Sequence, residues 1–580
     1  MSTGTGITFL AIGLVAVVTV GVGAYGVRMA RTTSDFLVAS RSVGPRWNAA
    51  AISGEYLSAA SFLGIAGLVA KYGSDALWYP VGFTAGYLAL LLFVAAPLRR
   101  SGAYTIPDFT EFRLGSPRLR RLATLVMVLI CWLYLIPQLQ GAGLTLRILT
   151  GLPSWAGALA VGIIVVINVV SGGMRAITLV QAFQYWLKLT AIAVPALVLL
   201  LLLHFAGVGR AVGSPAPPTV SAQTSIDVRT DVLLQVVHPL RVQATGTVDR
   251  APVDGELLLA PGPHQFDQGS TLTLAAGAEV PVVAGAPASN DQWLRPMNGL
   301  GGEHPLYVIY SLILATFLGT MGLPHVLVRF YTNADGRAAR ATTVVVLALL
   351  GVFYLFPTVL GLLARLYVPQ LLVSGTTDAA VLLLPGAVLS GLGGQLLAAL
   401  VGAGAIAAFL STSSGLVVSV AGVLSTDVLR GRVRDFRFAA LLAGAVPSVL
   451  TLALVSLDLS ESVGLAFAVA ASTFCPLLVL GIWWRGLTAA GAAAGLVTGA
   501  VLSVSAVAVT VLDLAPSGWW RAVGTQPAAV SVPAAFAVMI AVSLATRRHV
   551  PQSVGQILLR LHAPERLGVG VDRDIERWGS

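Results

Sequence analysis

Polar residues interrupt three apolar stretches of this sequence at places where they could bind an ion and a small anion. Residues 49–64 include Glu55 together with three serines and two glycines. Residues 312–324 include two threonines beside Gly319 and Gly322, and residues 407–414 end in four consecutive hydroxyl-bearing residues. A polar group deep in a bilayer is costly unless it serves an internal cavity, so these stretches are candidates for function.

The first two stretches have the character of interrupted helices. A break in a membrane helix frees carbonyl oxygens that can coordinate a cation and N–H groups that can hold an anion. In the third stretch, the hydroxyls of Ser411 and Thr412 and the carbonyl of Ala408 could supply three oxygen ligands to a monovalent cation. The alternative is that the glycines only allow close helix packing and that the hydroxyls bond back to their own helix.

The composition indicates that membrane helices position these residues. Of the 580 residues, 56% are hydrophobic and 10% are charged, whereas a soluble domain has about 25% charged residues. This excludes a soluble enzyme. The apolar runs also lack the metal cluster, acidic pair or nucleophile–base arrangement that a membrane enzyme would need. Cys131 and Cys475 lie within apolar runs and are expected to be buried, unpaired thiols.

Thirteen apolar runs are long enough to cross a hydrocarbon core about 30 Å thick. They lie near residues 6–27, 48–69, 76–97, 121–148, 154–171, 177–204, 306–322, 341–366, 395–424, 438–456, 462–483, 488–512 and 528–546. No basic residue precedes Arg28, and an outside N-terminus places most Lys and Arg residues in inside segments. This bias, rather than nucleic acid binding, accounts for the net charge of +10 and predicts an inside C-terminus.

The two interrupted stretches fall in the second and seventh spans, as a five-plus-five inverted repeat requires. The first span and the last two spans would then be additions to the repeat. Residues 206–303 contain alternating polar and apolar residues between Pro and Gly, which predicts a small β-rich extracellular insert, either a decoration or a substrate-capturing lid. The sequence thus predicts an all-α membrane bundle with one insert and a cytoplasmic tail, divided into residues 1–205, 206–303, 304–546 and 547–580.

Six separated motifs occur along the chain, and together they resemble the sodium/solute symporter family, specifically its acetate permease or cation/monocarboxylate symporter branch. The motifs are Asp35-Phe-Leu-Val-Ala, Ser58-Ala-Ala-Ser-Phe-Leu-Gly64, Tyr104-Thr-Ile-Pro-Asp108, Gly172-Gly-Met-Arg-Ala, Gly322-Leu-Pro-His-Val-Leu-Val-Arg-Phe330 and Leu410-Ser-Thr-Ser-Ser414. The resemblance excludes the insert. It implies a LeuT-type fold with thirteen helices, alternating access, and sodium-coupled uptake of a short carboxylate.

The resemblance also implies a site. In this family one sodium ion lies between the broken first core helix and the eighth core helix. The matching ligands here are the backbone oxygens of Gly54, Leu57 and Ala408 and the hydroxyls of Ser411 and Thr412. Substrate lies beside that ion in this fold, and the candidate contacts are Tyr56, Ser58, Ser61, Thr316 and Thr320. Some relatives have an Asp where this chain has Gln181, so a second sodium ion is not expected there.

Two charged residues within the spans have open roles. Glu55 could carry a proton or tune the cation, or it could be a carboxylate held by helix-end donors. Lys188 could neutralise the substrate or pair with Glu55, or it could make only a structural contact or extend toward the interface.

The sequence therefore predicts a secondary active transporter of a bacterial plasma membrane, not an enzyme. It would import acetate, propionate or pyruvate with sodium as the coupling ion and without an organic cofactor. A proton-coupled symporter using Glu55 is the main alternative, and a nutrient receptor is a weaker one. The expected partners are a small carboxylate and the lipid bilayer, not nucleic acid. The identity of the acid, the stoichiometry and any homo-oligomer stay open.

Overall fold

The computed structural model describes most of the chain. The described residues are 3–27, 39, 43–206, 216–228, 230–300, 302–375, 377–429, 432–453, 459–512, 514, 517–564 and 567. The predicted motif at residues 35–39 lies outside this part of the chain except for Ala39, and so does most of the predicted tail beyond residue 564.

Helices account for most of the described residues. Their bounds are α1 (Thr3–Val27), α2 (Pro45–Tyr56), α3 (Ile65–Tyr72), α4 (Trp78–Phe93), α5 (Ala95–Arg100), α6 (Ile106–Leu114), α7 (Pro117–Thr150), α8 (Ser154–Ser171), α9 (Gly173–Phe205), α10 (Asn290–Leu294), α11 (Pro305–Gly322), α12 (Pro324–Val328), α13 (Gly336–Tyr367), α14 (Leu371–Ser374), α15 (Ala380–Val388), α16 (Gly391–Val423), α17 (Val433–Ala453), α18 (Leu459–Trp483), α19 (Ala489–Val511), α20 (Trp519–Thr525), α21 (Ala528–Ala545) and α22 (Val554–His562). Short π or 3-10 turns join several of them.

Twelve helices in the described part of the chain are long and apolar enough to cross a membrane. They correspond to the predicted spans, with one difference. The predicted second span is divided at its interruption. Its first piece is α2, and its second piece is continuous with the predicted third span as Ala60–Phe93. The boundary between α8 and α9 is a bend at Gly173, whose φ of 56° is in the left-handed region that favours glycine.

Both predicted interruptions are present. Helix α2 ends at Tyr56, Leu57 has the non-helical angles φ −73° and ψ 84°, and the chain resumes helical form in a π turn, Ala60–Gly64. Helix α11 ends at Gly322, and Leu323 is extended with ψ 115° because it precedes Pro324. The two broken helices occupy the second and seventh predicted spans.

Glycines bring the second repeat's broken helix against α4. A Cβ at Gly82 would overlap the Thr316 side chain, and one at Gly86 would lie 2.5 Å from the Thr320 Cβ. The missing side chains at these two positions therefore allow α4 and α11 to pack closely. Cys131 and Cys475 are buried and free, as expected.

The insert forms one antiparallel sheet. Its strands are β1 (Thr224–Asp227), β2 (Val232–Val236), β3 (Leu240–Val248), β4 (Ala251–Leu259), β5 (Gly262–Phe266), β6 (Thr271–Leu274) and β7 (Val282–Val283). They are ordered β1-β6-β3-β5-β2-β7, and β4 pairs with β3. The core of the sheet includes Leu234 and Phe266, and it continues into Leu372 and Val373 of α14. The predicted β-rich insert is thus packed against the helical bundle.

Two buried charges fasten the end of the insert to the bundle. Asp75 accepts hydrogen bonds from the N–H groups of Met297, Gly299 and Leu300. Arg365 of α13 donates to oxygens of Asn290, Pro287 and Ala70. The segment that leaves the sheet is therefore bound to the ends of α3 and α13.

The amphipathic stretch of the tail is helix α22, and it packs on the bundle. Leu558 and Leu561 are buried. Arg560 lies over the Phe112 ring and donates to the Arg100 oxygen. The helix therefore contacts α5 and α6, which the predicted topology places near the inside face.

Candidate ion and substrate site at the broken helix

The interruption after α2 leaves main-chain groups without their usual helical partners, and neighbouring helices supply replacements. Gln138 of α7 accepts the Ala59 N–H at 3.0 Å. From α16, Ser411 Oγ donates to the Gly54 oxygen at 2.5 Å, and Thr412 Oγ1 donates to the Glu55 oxygen at 2.6 Å. All of these groups are buried, so the break is held by polar contacts inside the bundle.

Four of the five residues predicted to bind sodium therefore meet at one place. Gly54 and Leu57 lie at the break, and Ser411 and Thr412 face it from α16. Ala408 is one turn before them on the same helix and is fully buried. Two main-chain oxygens and two hydroxyls are suitable ligands for a monovalent cation.

A third helix supplies a charge to the same place. The Lys188 ammonium of α9 donates to the Gly54 oxygen and, at 2.8 Å, to the Leu57 oxygen. Lys188 is fully buried. The side chain therefore points into the bundle rather than toward the interface, and its charged end touches both backbone oxygens of the break that were predicted to bind sodium.

Glu55 has a different partner from the one considered in the sequence. Arg329 Nε donates to Glu55 Oε2 at 2.6 Å, and both side chains are 1% exposed. The guanidinium also donates to Thr178 Oγ1 at 2.7 Å and to Gln181 Oε1. Gln181 in turn donates to the Ser411 oxygen at 2.7 Å. These bonds join the two broken helices through α9.

Arg329, Thr178 and Gln138 are site residues that the sequence interpretation did not identify. Arg329 lies in the 3-10 turn Arg329–Thr332, just after the second break. In the sequence it follows the seventh predicted span, where an arginine has the pattern of an inside-loop residue. The sequence signal available for Arg329 was its place in the motif that ends at Phe330. Membership of a motif does not indicate that the side chain points into the bundle.

The predicted substrate contacts divide into two groups. Tyr56 OH and Thr320 Oγ1 are 2.9 Å apart, and Ser61 Oγ lies 2.9 Å from Tyr354 OH. Ser58, which lies between Tyr56 and Ser61 in the sequence, is also buried. Thr316 and Thr320 each donate to an oxygen of their own helix at 2.8 Å, and each packs on a glycine of α4, but only Thr320 is also bonded to Tyr56 among the described contacts. The structure thus places Thr320, but not Thr316, in hydrogen-bond contact with Tyr56.

Aromatic rings pack around Tyr56. The ring centroids of Tyr87 and Phe83 lie 4.7 and 6.0 Å from that of Tyr56. Phe83 also packs on Tyr79, which lines a cavity of about 450 Å³ beside the end of the insert. The ring contacts of Tyr79, Phe83 and Tyr56 therefore connect the wall of this cavity to the broken helix.

Comparison with known proteins agrees with this architecture. The family model described as "Sodium:solute symporter family" matches residues 36–251 and 283–499. The chain belongs to the sodium:solute symporter family. It is accordingly a multi-pass membrane protein with the fold class that its sequence predicts.

Two curated relatives of this symporter extend along nearly its whole length. One, from Bacillus subtilis (strain 168), is named an uncharacterized symporter; it is 31% identical, and the match covers 91% of each chain. Another, from Corynebacterium glutamicum, is named a monocarboxylic acid transporter. It is 29% identical, and the match covers 95% of this chain and 93% of the relative.

Two solved structures share the fold. One is a Na+-coupled sialic acid symporter in a substrate-bound outward-open state, with a TM-score of 0.64, 14% identity, and coverage of 93% of this chain and 97% of the other. The second is a nucleobase–cation symport family transporter in a closed conformation, with a TM-score of 0.50, 12% identity, and coverage of 90% and 98%. At these identities the likeness concerns the fold alone.

Proposed function

We propose that this symporter imports short-chain monocarboxylates, such as acetate, propionate or pyruvate, together with one monovalent cation by alternating access. The observation that supports this most directly is the junction of three helices at the break, where the buried Lys188 ammonium contacts two backbone oxygens and two hydroxyls of α16 bond to backbone oxygens of α2. A small anion is the kind of solute that such a charge attracts. The relative named a monocarboxylic acid transporter supports the same substrate class.

The hydroxyls of Tyr56, Ser58, Ser61 and Thr320 are the proposed substrate contacts. Hydroxyl and helix-end N–H groups are suitable donors to a carboxylate. Tyr56 OH and Thr320 Oγ1 already bond to each other, so a bound carboxylate oxygen would replace that hydrogen bond with one to the substrate. The rings around Tyr56 would restrict the site to a substrate with a short apolar end.

Sodium is the first candidate for the coupling ion. The family and the Na+-coupled symporter among the solved structures support it in general. Its ligands would be the oxygens of Gly54, Leu57, Ala408, Ser411 and Thr412. Gln181 donates to the Ser411 oxygen and accepts from Arg329, so it belongs to the polar network rather than to a further cation site.

A proton is the second candidate, and one contact favours it. The Lys188 ammonium lies against the Gly54 and Leu57 oxygens that sodium would need. Glu55 is a less suitable proton carrier than the sequence indicated, because protonating it would leave Arg329 buried without its counter-charge.

Uptake by the purified full-length chain in proteoliposomes tests the transport function. We expect labelled pyruvate to accumulate when an inward cation gradient is imposed, and unlabelled acetate and propionate to compete with it. Acetamide, which has the same size but no charge, is the matched control and should not compete. If neither a sodium nor a proton gradient drives carboxylate accumulation, the proposed function is wrong.

A further inference from the structure

Ser58, Tyr87 and His325 are buried side chains whose polar atoms have no hydrogen-bond partner among the described residues. Ser58 lies at the first break, Tyr87 in α4, and His325 in α12, directly after the second break. His325 lacks a partner at both ring nitrogens, and none of the three side chains is more than 1% exposed. A polar group buried without a partner is costly, so several of them in one place indicate a binding site for a polar ligand.

Two tyrosine rings bring these side chains to one place. Tyr134 of α7 lies edge-on to the His325 ring, with centroids 5.1 Å apart, and it also lies near Ser58. Tyr56 packs on Tyr87 at 4.7 Å, and Tyr87 is close enough to Tyr134 to interact electrostatically with it. Because Tyr56 and Ser58 lie at the first break and His325 follows the second, the group lies between the two broken helices.

The same group has an apolar side. The ring centroid of Phe467 of α18 lies 5.9 Å from that of Tyr134 and 6.1 Å from that of Tyr56. A ligand with a polar end toward the hydroxyls and the imidazole, and a short apolar end toward Phe467, would match this arrangement. All of these side chains are buried, so a ligand would enter when the helices move apart, as alternating access requires.

The hydrogen-bonding capacity of the group indicates the class of ligand. Serine and tyrosine each offer one O–H donor, and a neutral imidazole offers one N–H donor. A carboxylate only accepts hydrogen bonds, and its two oxygens can accept about four. Three donors without partners are therefore complementary to a carboxylate, whereas an amide would place its own N–H groups against some of them.

The nearby Glu55 carboxylate does not prevent an anion from binding. Arg329 bonds to Glu55 Oε2 at 2.6 Å and balances its charge. The other oxygen, Oε1, is directed toward Gly415 of α16, because a Cβ at Gly415 would overlap it. Glu55 therefore has its charge compensated and turns its second oxygen toward α16.

We propose that Ser58, Tyr87 and His325 bind the carboxylate of the substrate, and that His325 does so by donating a ring N–H to a carboxylate oxygen. This inference rests on the carboxylate import proposed above and names residues that recognise its substrate. Ser58 was a predicted contact, whereas Tyr87 and His325 add contacts from α4 and α12. Both broken helices would then touch the same anion, so its binding would depend on their relative position.

A substitution that keeps the shape of the ring tests His325. His325→Phe retains a planar ring and removes both nitrogens. Because these nitrogens have no described partner, the variant should keep or raise the melting temperature in detergent without substrate. Its KM for pyruvate uptake into proteoliposomes should rise about tenfold or more, as expected for loss of a hydrogen bond to a charged group. Sodium and proton gradients are imposed together, so that the identity of the coupling ion does not affect the result.

Further variants separate recognition from a structural role. His325→Asn and His325→Gln each restore an N–H donor near one ring nitrogen, and one of them should recover part of the affinity. Tyr87→Phe should raise the KM without lowering the melting temperature. Thr145→Val is the matched control, because Thr145 of α7 is also buried with an unpartnered hydroxyl but lies about three helical turns beyond Tyr134. It should change neither quantity.

Thermal shifts with pyruvate complete the test. Pyruvate should raise the melting temperature of the wild type and of Thr145→Val, but not that of His325→Phe. An unchanged KM in both His325→Phe and Tyr87→Phe would overturn the inference and leave carboxylate import standing. Failure of His325→Phe to fold would also contradict it, because the nitrogens would then have a structural partner. A wild type that neither accumulates pyruvate nor responds to it would contradict the proposed function and, with it, this inference.

Discussion

Glu55 and Arg329 meet 2.6 Å apart between the two broken helices, and neither side chain is more than 1% exposed. Glu55 lies in the last turn of α2, and Arg329 follows the break after α11. The contact therefore ties together the two elements that an inverted repeat relates. Removal of one partner of a buried ion pair leaves a charge without compensation and typically costs about 3–5 kcal/mol.

Each single substitution of this pair should be strongly destabilising, and the double substitution should cost less stability than the two single effects added together. We expect Glu55→Gln and Arg329→Gln each to lower the melting temperature in detergent sharply and to reduce transport. The double variant should recover part of the stability, as expected for two groups in contact. Asp291→Asn is the control, because the Asp291–Arg295 pair is exposed and such pairs contribute about 1 kcal/mol or less. Additive single effects would argue against direct coupling of Glu55 and Arg329.

Gly415 should tolerate no side chain, because it faces the Glu55 carboxylate. A Cβ at Gly415 of α16 would overlap Glu55, whereas a Cβ at Gly393 of the same helix would meet nothing within 4 Å. We expect Gly415→Ala to displace Glu55 from Arg329 and to reduce both melting temperature and pyruvate uptake. Gly393→Ala should leave both unchanged or slightly improved, since alanine favours a helix by about 1 kcal/mol. Equal behaviour of the two variants would contradict this placement of Glu55.

Local sequence patterns predicted the spans and both interruptions. Hydropathy over about twenty residues indicates a helix that crosses a membrane. The extended backbone of Leu323 follows from the proline next to it, Pro324. The insert was predictable in the same way, because alternation along β3 gives one buried face. The packing of that sheet on Leu372 and Val373 was not predictable, because these residues lie about a hundred positions further along the chain.

The partners at the break depended on tertiary packing. The position of Lys188 within an apolar run gave its depth, but its contact with the Leu57 oxygen depends on how α9 is rotated against α2. Arg329 follows the end of a span and so had the pattern of a loop residue. Its inward direction results from the 3-10 turn that follows α12. The sequence therefore identified Gly54, Leu57, Ser411 and Thr412 as a group but assigned no partner to Glu55.

The two threonines of α11 should differ in their effect on substrate affinity. Both hydroxyls donate to oxygens of α11, but Thr320 Oγ1 also contacts Tyr56 OH. We expect Thr320→Val to raise the KM for pyruvate about fivefold, the equivalent of one hydrogen bond of about 1 kcal/mol. Thr316→Val, an isosteric control in the same helix, should change the KM less than twofold by the same reasoning. A larger effect at Thr316 would place the substrate on another face of α11.

The stability of the insert should depend on pH through His264. Its Nδ1 lies 2.7 Å from Asp249 Oδ2 and its Nε2 lies 2.8 Å from the Ala260 oxygen. Both partners are acceptors, so the geometry favours the imidazolium, in which both nitrogens donate. Burial alone lowers the pKa of His264, but the hydrogen bonds to Asp249 and Ala260 outweigh it and hold the pKa above its usual value.

The same contacts act in the opposite direction on Asp249. Burial raises the pKa of this carboxyl, but hydrogen bonds from His264 and the Gln265 N–H outweigh it and hold the pKa below its usual value. The contribution of His264 is complete below its ordinary pKa of about 6.5 and disappears as the pH rises through the raised pKa. The contribution of Asp249 is complete above about 3.9 and disappears as the pH falls through the lowered pKa.

The pair should therefore stabilise the junction of β3, β4 and β5 more at about pH 6 than at about pH 8. Hydrogen exchange of the full chain, corrected for the intrinsic effect of pH, should show greater protection of the Gln265 amide at the lower pH, because that N–H bonds to Asp249. His264→Gln should remove the difference. His238→Gln is the control, since His238 touches Glu279 with one nitrogen and is 63% exposed. Equal corrected protection at both pH values in the wild type would contradict a charged His264.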